Sequence, residues 1–256
     1  MKATKYITII CFALMSTTFA HAQADMDPAP MEGQQIVKHH AFTLSYCEFH
    51  EQPTWVSYLL TREDALAQRP RHDAFRADPD VETGSAAPKD YVKSGYDKGH
   101  LAPNADMSRS EEVQNESFYM SNMSPQRHGF NAGIWKRLEA QVRHWAIEYD
   151  SIYVVTGPVL ICDSVGADSL NISTIGQSNT ISVPRYFYKV IYSPCLQQAI
   201  AFLVPHENKK GSVKTWVVPV DRVEEATGID FFPALDDTEE NIIESEVCTP
   251  CWIWDR

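Results

Sequence analysis

The segment that most constrains the fold is residues 94–103, in which two glycines and a proline surround His100. Such a density of glycine and proline predicts a short extended piece with a tightly turned backbone rather than a helix. A second extended piece is predicted at residues 118–122. A helix is predicted over residues 133–149, because large apolar residues repeat there at the spacing of one helical face: Trp135, Leu138, Val142, Trp145 and Tyr149.

The rest of the chain alternates short strands with turns and predicts a single α+β domain over residues 41–256. Further strands are predicted at residues 41–46, 55–61, 151–156, 185–192, 198–204 and 213–219. Residues 62–89 and 163–179 are predicted to be loops, and short helices are expected near residue 110 and at residues 220–226. We therefore expect a mixed or antiparallel central sheet with flanking helices and no internal repeat.

The N-terminal residues 1–22 have the pattern of a secretory signal peptide, with two lysines, an apolar run and an Ala-His-Ala cleavage site. The apolar run is too short for a membrane anchor, which needs about 20 residues. Residues 23–40 are polar and contain two prolines, which predicts a disordered lead-in. The sequence therefore predicts a secreted or periplasmic protein that does not associate with a membrane after cleavage.

The chain is acidic, with a formal net charge of −12 from 22 basic and 34 acidic residues. Removal of the two lysines in the predicted signal peptide would bring the net charge to about −14. This balance is unfavourable for a protein that binds nucleic acid through a broad basic face. It is compatible with a small, local basic groove.

Five cysteines remain outside the predicted signal peptide: Cys47, Cys162, Cys195, Cys248 and Cys251. In an oxidising compartment they allow two disulfides and one free thiol, with a pairing that the sequence does not define. Cys248 and Cys251 form a C-x-x-C pattern, which also occurs in redox and zinc sites. A structural role is favoured here, because neither a second cysteine pair nor a nearby histidine completes a zinc site.

His100 and the asparagines that follow it supply a base, hard oxygen ligands and few carboxylates. Such a set suits a substrate that brings its own negative charge, such as a phosphodiester. A histidine with a pKa near neutrality can activate the attacking water, and a divalent cation can polarise the phosphate. Because Mg²⁺ keeps several of its waters, one asparagine is a sufficient protein ligand.

These motifs resemble those of the DNA/RNA non-specific endonucleases, the ββα-metal or His-Me finger nucleases. Residues 97–100, Asp-Lys-Gly-His, resemble the Asp-Arg-Gly-His motif of that family. The segments around Asn122 and Asn131 resemble the two motifs that follow it, and the Arg71 segment resembles the upstream Arg-x-x-x-Phe-x-x-Asp. The resemblance extends from about residue 55 to 219. It implies an endonuclease that uses Mg²⁺, or alternatively Mn²⁺, to cleave DNA and/or RNA with little sequence preference.

The resemblance implies a role for His100 as the general base and for Asn131 as the magnesium ligand. An ordinary hydrogen-bonded histidine and a helix N-cap are the structural alternatives for these two residues. Arg71 would contact the scissile phosphate through its guanidinium group. Lys98, where the family usually has arginine, would add positive charge for substrate binding, and Asn122 would fix either His100 or the phosphate.

Glu139 and Arg143 flank the predicted apolar stripe, and the family has an acid and a base at the matching places. Their structural alternative is an exposed ion pair one helical turn apart. Glu139 lies about 12 Å along a helix from Asn131. The two can therefore serve one site only if Asn131 lies at or before the first helical turn. Arg69 and Arg76 are alternatives for the phosphate contact.

Two other classes of protein compete with an endonuclease. A non-catalytic nucleic-acid-binding module on the same fold would lack the histidine or the metal-binding asparagine, and this sequence has both. A zinc hydrolase would need a ligand set such as His-x-x-x-His, which does not occur in the sequence. The predicted partner is therefore a DNA or RNA substrate.

Overall fold

The structure, a computed structural model, describes residues 26–160 and 172–255. The predicted signal peptide, Cys162 and the first part of the predicted 163–179 loop lie outside these residues. The strands are β1 Gln35–Lys38, β2 Thr43–Cys47, β3 Gln52–Thr61, β4 Asp97–His100, β5 Met123–Gln126, β6 Ser151–Pro158, β7 Thr174–Ile175, β8 Ile181–Ser182, β9 Tyr186–Ser193, β10 Gln198–Pro205 and β11 Val217–Val218. The longer helices are α1 Arg62–Leu66, α2 Glu111–Glu116, α3 Lys136–Tyr149, α4 Val220–Thr227 and α5 Asp237–Ser245.

Seven strands form one antiparallel sheet in the order β1-β2-β3-β6-β9-β10-β11. Successive residues of a strand point to opposite faces of a sheet, and here both faces are apolar. On β3, Val56 packs in the core that includes α3, whereas Trp55 packs in the core that includes α4 and α5. Val154 and Val155 on β6 divide in the same way. The sheet therefore lies between two helical layers, which confirms the predicted α+β class.

The predicted apolar stripe lies on and just before α3 and is buried against the sheet: Trp135, Leu138, Val142, Trp145 and Tyr149. An irregular turn, Asn131–Trp135, precedes the helix and contains a non-helical residue, Gly133, with φ −103° and ψ −108°. The helix ends at Asp150, whose φ of 73° cannot continue it. Asn131 is thereby set at the head of α3, outside the regular helix. Among the described residues, no helix has the length and apolar character needed to cross a bilayer.

β4 and β5 form a separate two-stranded antiparallel ladder in which Gly99 pairs with Ser124 and His100 pairs with Met123. Glycine is needed at position 99, because a Cβ there would lie 2.2 Å from the side chain of Gln126. Gln126 is completely buried and has little freedom to move away. With α3 following β5 in the chain, this ladder gives a ββα unit.

Replacing Gly99 with alanine is expected to lower the free energy of unfolding by about 1–3 kcal/mol, the usual cost of overpacking a buried site. Urea denaturation monitored by circular dichroism measures the change. The double variant Gly99→Ala/Gln126→Ala should recover part of the loss relative to Gln126→Ala alone, because the clashing side chain is gone. An unchanged urea midpoint for Gly99→Ala would show that β4 and the side chain of Gln126 make room for the methyl group without loss of stability.

The predicted extended piece at residues 118–122 differs from the structure. Met120–Asn122 forms a 3₁₀ turn, and the strand β5 begins only after it. The side-chain amide of Asn122 donates to the carbonyl oxygen of Ser117 at 2.9 Å. A local bond of this kind competes with the extended conformation and favours a turn.

The two ends of the domain also differ from the predictions. β1 lies within the predicted lead-in of residues 23–40 and pairs with β2. The predicted strand at residues 213–219 is a 3₁₀ turn, Val213–Trp216, followed by the two-residue strand β11. The hydroxyl of Ser212 accepts the backbone N–H of Lys214 and caps this turn. α5 corresponds to no predicted element.

The C-terminal cysteines have a structural role. Cys248 and Cys251 are joined by a disulfide, Cys47 is also disulfide-bonded, and Cys195 is free and exposed. Beyond the C-x-x-C pair, Trp252 is buried against α3, and the indole N–H of Trp145 donates to the carbonyl oxygen of residue 253. The disulfide therefore stabilises the turn from which the tail packs onto the helix of the ββα unit.

Candidate active site

A cleft of about 350 Å³ lies where β4, the head of α3 and the loop before β4 meet. Six of the seven predicted site residues line it: Arg71, Lys98, His100, Asn131, Glu139 and Arg143. The seventh, Asn122, does not. Another depression, of about 490 Å³, lies beside α2, and three of its six lining residues are acids: Glu111, Glu112 and Glu116. The 350 Å³ cleft is lined by four basic residues and one acid, so it is the better candidate for binding a phosphate.

His100 is held in the cleft by two aromatic rings. Its imidazole centroid lies 5.6 Å from that of Phe75 and 5.1 Å from that of Phe118. Its Nε2 atom is buried and has no hydrogen-bond partner. Burial first, and then the positive charge of Arg71, lowers the pKa of His100 to about 3. The imidazole is therefore unprotonated at physiological pH, and a pKa this far below neutrality makes it a weaker base than an exposed histidine.

Asn131 is oriented by Asp97, which lies at the start of β4. The Nδ2 atom of Asn131 donates to Oδ2 of Asp97 at 3.0 Å, and Nδ1 of His128 lies 2.9 Å from the same oxygen. No side-chain capping bond forms at the head of the helix, so the N-cap alternative for Asn131 does not apply. With its nitrogen engaged by Asp97, the amide has its oxygen available for a cation.

Arg143 pairs with a residue that the sequence did not indicate. Its Nη1 atom lies 2.8 Å from Oδ1 of Asp106, and the other oxygen of that carboxylate accepts the hydroxyl of Tyr58 at 2.9 Å. Arg143 therefore pairs with Asp106 and does not form the exposed ion pair with Glu139 that was considered as the alternative. Arg143 is fixed in the cleft wall by a buried acid, and its charge remains directed towards the cleft that it lines.

Glu139 lies in the same wall, where burial raises the pKa of its carboxyl group. The positive charge of Lys189 opposes this rise in the pKa. Lys189 is completely buried on β9 and donates to the hydroxyl of Thr156 at 3.0 Å. Because Asn131 precedes the regular helix, Glu139 and Asn131 line one cleft, which meets the geometric condition derived from the sequence.

Two cations of the cleft lie against the aromatic rings that flank His100. The guanidinium carbon of Arg71 lies 5.4 Å from the ring centroid of Phe118, and Nζ of Lys98 lies 4.7 Å from that of Phe75. Arg71 also pairs with Asp73 at 2.8 Å. Cation–π contacts of this kind position a charge without neutralising it. Four basic residues and one acid line the cleft, so its lining has an excess of positive charge in an acidic protein.

The competing arginines are not in the cleft. The guanidinium of Arg76 donates to the carbonyl oxygen of Asn115 at 2.8 Å and packs over the ring of Tyr119 at 4.1 Å. Arg69 does not line the cleft either. Arg71, Arg69 and Arg76 were the three candidates for the phosphate contact. Of these, Arg71 is the one that lies with the other site residues.

Asn122 is buried behind the cleft and is used structurally. Its Oδ1 atom accepts the N–H of Ala102 at 2.9 Å, and its Nδ2 atom donates to the carbonyl oxygens of Ala102 and Ser117, each at 2.9 Å. Its own carbonyl oxygen accepts the N–H of Leu101 at 3.0 Å. These bonds fix the backbone that follows His100. Asn122 can therefore act on the histidine through its backbone, whereas its amide is not free for the phosphate.

Four residues that line the cleft or hold its side chains were not assigned a site role from the sequence. Lys136 and Asn104 line the cleft, Asp106 anchors Arg143, and Asp97 orients Asn131. Lys136 precedes Glu139 by three residues, so its place on the same helical face could have been found from the spacing. Asp106 is separated from its partner by 37 residues and has no local signal.

A divalent metal fits the donors of the cleft. Two clusters of His, Asp and Glu bring three ligand atoms together in the described part of the chain, and neither lies in the cleft. In the first cluster, His39 and Asp78 already bond to each other at 2.9 Å. The cleft itself offers the amide oxygen of Asn131 and the carboxylate of Glu139. Hard oxygen donors of this kind fit Mg²⁺ or Mn²⁺ better than Zn²⁺.

A histidine on a two-stranded ladder, an asparagine at the head of the following helix and a cationic cleft between them define a ββα-metal nuclease fold. The chain belongs to the DNA/RNA non-specific endonuclease family, whose model matches residues 23–238. The family resemblance found in the sequence is thereby confirmed.

Several relatives support this membership. The chain is 35% identical to "Nuclease EXOG, mitochondrial" of Danio rerio over 218 residues, which are 80% of this chain and 62% of the relative. It is 31% identical to "Mitochondrial nuclease" of Saccharomyces cerevisiae, covering 86% of this chain and 71% of the relative. A chain from the crystal structure of an EndoG/EndoGI complex superposes with a TM-score of 0.73 at 28% identity, covering 86% of this chain and 94% of that one. The chain spans less than two thirds of the length of the EXOG nucleases it matches.

The predicted secreted or periplasmic location is contradicted by these comparisons. The relatives from Danio rerio, Mus musculus, Homo sapiens and Saccharomyces cerevisiae are named as mitochondrial nucleases. A leader that is basic and poor in acids is not specific to secretion, because transit peptides of organelles share these properties. The N-terminal pattern of this sequence was therefore insufficient to define a compartment.

Proposed function

We propose that the chain is a metal-dependent endonuclease that hydrolyses phosphodiester bonds of DNA and RNA with little sequence preference. The observation that carries the proposal is the cleft in which the neutral imidazole of His100 and the amide of Asn131 lie together among cations. Family membership supports the reaction class. The chain spans only part of the length of several relatives. The proposed activity is therefore argued from the geometry of the cleft and not from the activities of those relatives.

In the proposed mechanism, His100 accepts a proton from the attacking water. Burial between Phe75 and Phe118 keeps the ring unprotonated before the substrate binds. The negative charge of a bound phosphate would raise the pKa of the ring towards the neutral range that suits a general base. Asn131 would hold Mg²⁺ through its amide oxygen, and the bound ion would supply charge neutralisation at the phosphate. Asp97 accepts the amide N–H of Asn131, which would leave the amide oxygen to bind the ion.

The cations of the cleft bind and orient the substrate phosphate. Arg71 can form paired hydrogen bonds with a phosphate, whereas Lys98 contributes a point charge. Arg143 is held rigid by Asp106 and stabilises negative charge that develops during the reaction. Glu139, with its raised pKa, is suited to bind a water or to exchange a proton beside the metal ligand.

The proposed lack of sequence preference follows from which atoms the cleft can contact. Its charged side chains suit phosphate oxygens, and contacts to phosphates position a nucleic acid without reading its bases. Specific recognition requires groups that reach base edges in a groove. The few cations and the net charge of −12 are consistent with a small number of backbone contacts.

Chelation of the metal is expected to abolish plasmid nicking by the purified protein. Addition of Mg²⁺ or Mn²⁺ in excess of the chelator should restore the rate, because the proposed ligand is a hard amide oxygen. The assay measures conversion of supercoiled plasmid to nicked and linear forms. Activity that returns only with Zn²⁺ would contradict the metal site.

The same preparation tests the alternative of a non-catalytic binding module. A module of that kind would shift the mobility of DNA in a gel with Mg²⁺ present and leave the plasmid intact. Conversion of the plasmid by the wild-type protein, but not by a folded His100→Ala variant, would exclude the module. A single-stranded RNA of the same length, added in parallel, gives the relative rates on the two nucleic acids.

A further inference from the structure

Three acids converge on the side of the sheet opposite to α3. Asp221 and Glu224 are one turn apart on α4, and Glu244 lies on α5. One oxygen of each carboxylate lies within 4.8 Å of the others. Two oxygens that share a Ca²⁺ ion at about 2.4 Å from each are at most about 4.8 Å apart. The pairwise separations therefore do not exceed the limit for oxygens that bind the same calcium ion.

Glu244 distinguishes this cluster from an ordinary acidic surface. Its side chain is only 6% exposed, and its Oε1 atom is buried without a hydrogen-bond partner. A buried polar atom that lacks a partner is unfavourable, and a carboxylate more so. Val223 on α4 and Ile243 on α5 are buried in the same core, so packing holds the carboxylate between the two helices.

The charge around Glu244 is not compensated by the basic residue next to the cluster. Arg222 follows Asp221 in the chain, but its guanidinium pairs with Glu225 at 2.8 Å. Burial first, and then the charges of Glu224 and other acids, raises the pKa of Glu244 to about 8. Ionising Glu244 beside the other acids is therefore unfavourable, and a cation placed between the carboxylates would remove that cost.

We propose that Asp221, Glu224 and Glu244 form a calcium site that fastens α5 to α4. Calcium accepts six to eight oxygen ligands with flexible geometry, so waters can complete the set that three carboxylates begin. Mg²⁺ binds oxygen at about 2.0–2.1 Å and requires a tighter arrangement, whereas Zn²⁺ favours nitrogen and sulfur. The Phe231 N–H donates to Oε1 of Glu224 at 2.9 Å and helps to fix that carboxylate.

This calcium site is separate from the proposed catalytic cleft. The cleft is built from β4 and α3, whereas the acids belong to the opposite helical layer. The role of the calcium site would be structural, because the ion would join α4 to α5, a helix near the C-terminus. A ligand that binds only the folded state raises stability by mass action. The site therefore predicts a calcium-dependent melting temperature that does not depend on Asn131.

The test is thermal unfolding of the full chain after chelation, with CaCl₂ titrated back. At a concentration 100 times the dissociation constant, the melting temperature of the wild type should rise by about 5–10 °C. Glu244→Gln should abolish this rise. The matched control Glu246→Gln, an exposed acid at the end of α5, should keep it. Asn131→Ala should also keep it, which separates the calcium site from the cleft.

Direct titration calorimetry of the Asn131→Ala variant with CaCl₂ should give one bound ion, and Glu244→Gln in that background should give none. If Glu244→Gln does not fold, Asp221→Asn in the first turn of α4 replaces it. Plasmid nicking with Mg²⁺ should be unchanged by Glu244→Gln at 25 °C. Nicking therefore tests the nuclease proposal, and the calcium response tests the calcium site, separately. A calcium response that is missing in the wild type, or that persists in Glu244→Gln and Asp221→Asn, would overturn the site.

Discussion

Replacing His100 with alanine is expected to lower the cleavage rate at saturating Mg²⁺ by about 10²–10⁴-fold, the usual contribution of a general base. The imidazole is neutral because burial between Phe75 and Phe118 lowers its pKa to about 3. Its removal leaves the amide of Asn131 and the cations of the cleft in place. The variant should therefore bind metal and nucleic acid as before and fail in proton transfer. Single-turnover plasmid nicking measures the loss.

A matched control is His144→Ala. His144 lies on α3 and does not line the cleft, so its removal leaves the cleft unchanged. It should retain nearly full activity. Added imidazole should restore part of the rate of His100→Ala, because the removed ring leaves space for a small base, and should not affect the control. Circular dichroism confirms folding of both variants. A folded His100→Ala protein with near-full activity would show that another group activates the water.

The parts of the fold that could be predicted are those in which one short segment carries its own signal. The glycines of residues 94–103 predicted an extended piece, and β4 lies there. The apolar stripe predicted α3 within a few residues of its observed start and end. In both cases the local backbone or the helical period decides the structure, and distant contacts only reinforce it.

The parts that could not be predicted depend on contacts between distant segments. Asp106 meets Arg143 and Tyr58 only after the sheet and α3 have packed. The 118–122 segment is apolar enough for a strand, but the side chain of Asn122 bonds to nearby backbone and makes a turn. Hydrophobic pattern alone does not record such competition between a side chain and the backbone ladder.

Net charge was a poor guide to the cleft, because electrostatics at a site are local. The protein carries a formal charge of −12, yet Lys98, Arg71 and Arg143 line one cleft. Exposed charges separated by more than about 10 Å are largely screened at 0.1 M salt. Much of the acidity lies elsewhere, including the α4 and α5 cluster around Glu244. The distribution of the charge, which only the fold reveals, determines whether a phosphate can bind.

Replacing Asn131 with alanine is expected to change metal dependence, in contrast to His100→Ala. Loss of the amide oxygen removes the proposed protein ligand, so the Mg²⁺ concentration for half-maximal nicking should rise by at least about tenfold. This expectation agrees with the loss of about 10–100-fold in metal affinity or activity that changes around a metal site typically cause. High Mg²⁺ should recover part of the rate, because the cation can still bind through phosphate and water. Rate measured against Mg²⁺ concentration tests this for both variants.

Asp97 provides an intermediate case that tests how Asn131 is presented. Its Oδ2 atom accepts the amide N–H of Asn131, so Asp97→Ala frees the amide to rotate while leaving its oxygen in the protein. The Mg²⁺ midpoint of Asp97→Ala should lie between those of the wild type and Asn131→Ala, and Asp97→Asn, which can still accept that bond, should lie nearer the wild type. If His100→Ala shifts the midpoint and Asn131→Ala does not, the two roles are exchanged. If Asp97→Ala matches the wild type, the amide is held by the metal itself, and Asp97 serves the fold alone.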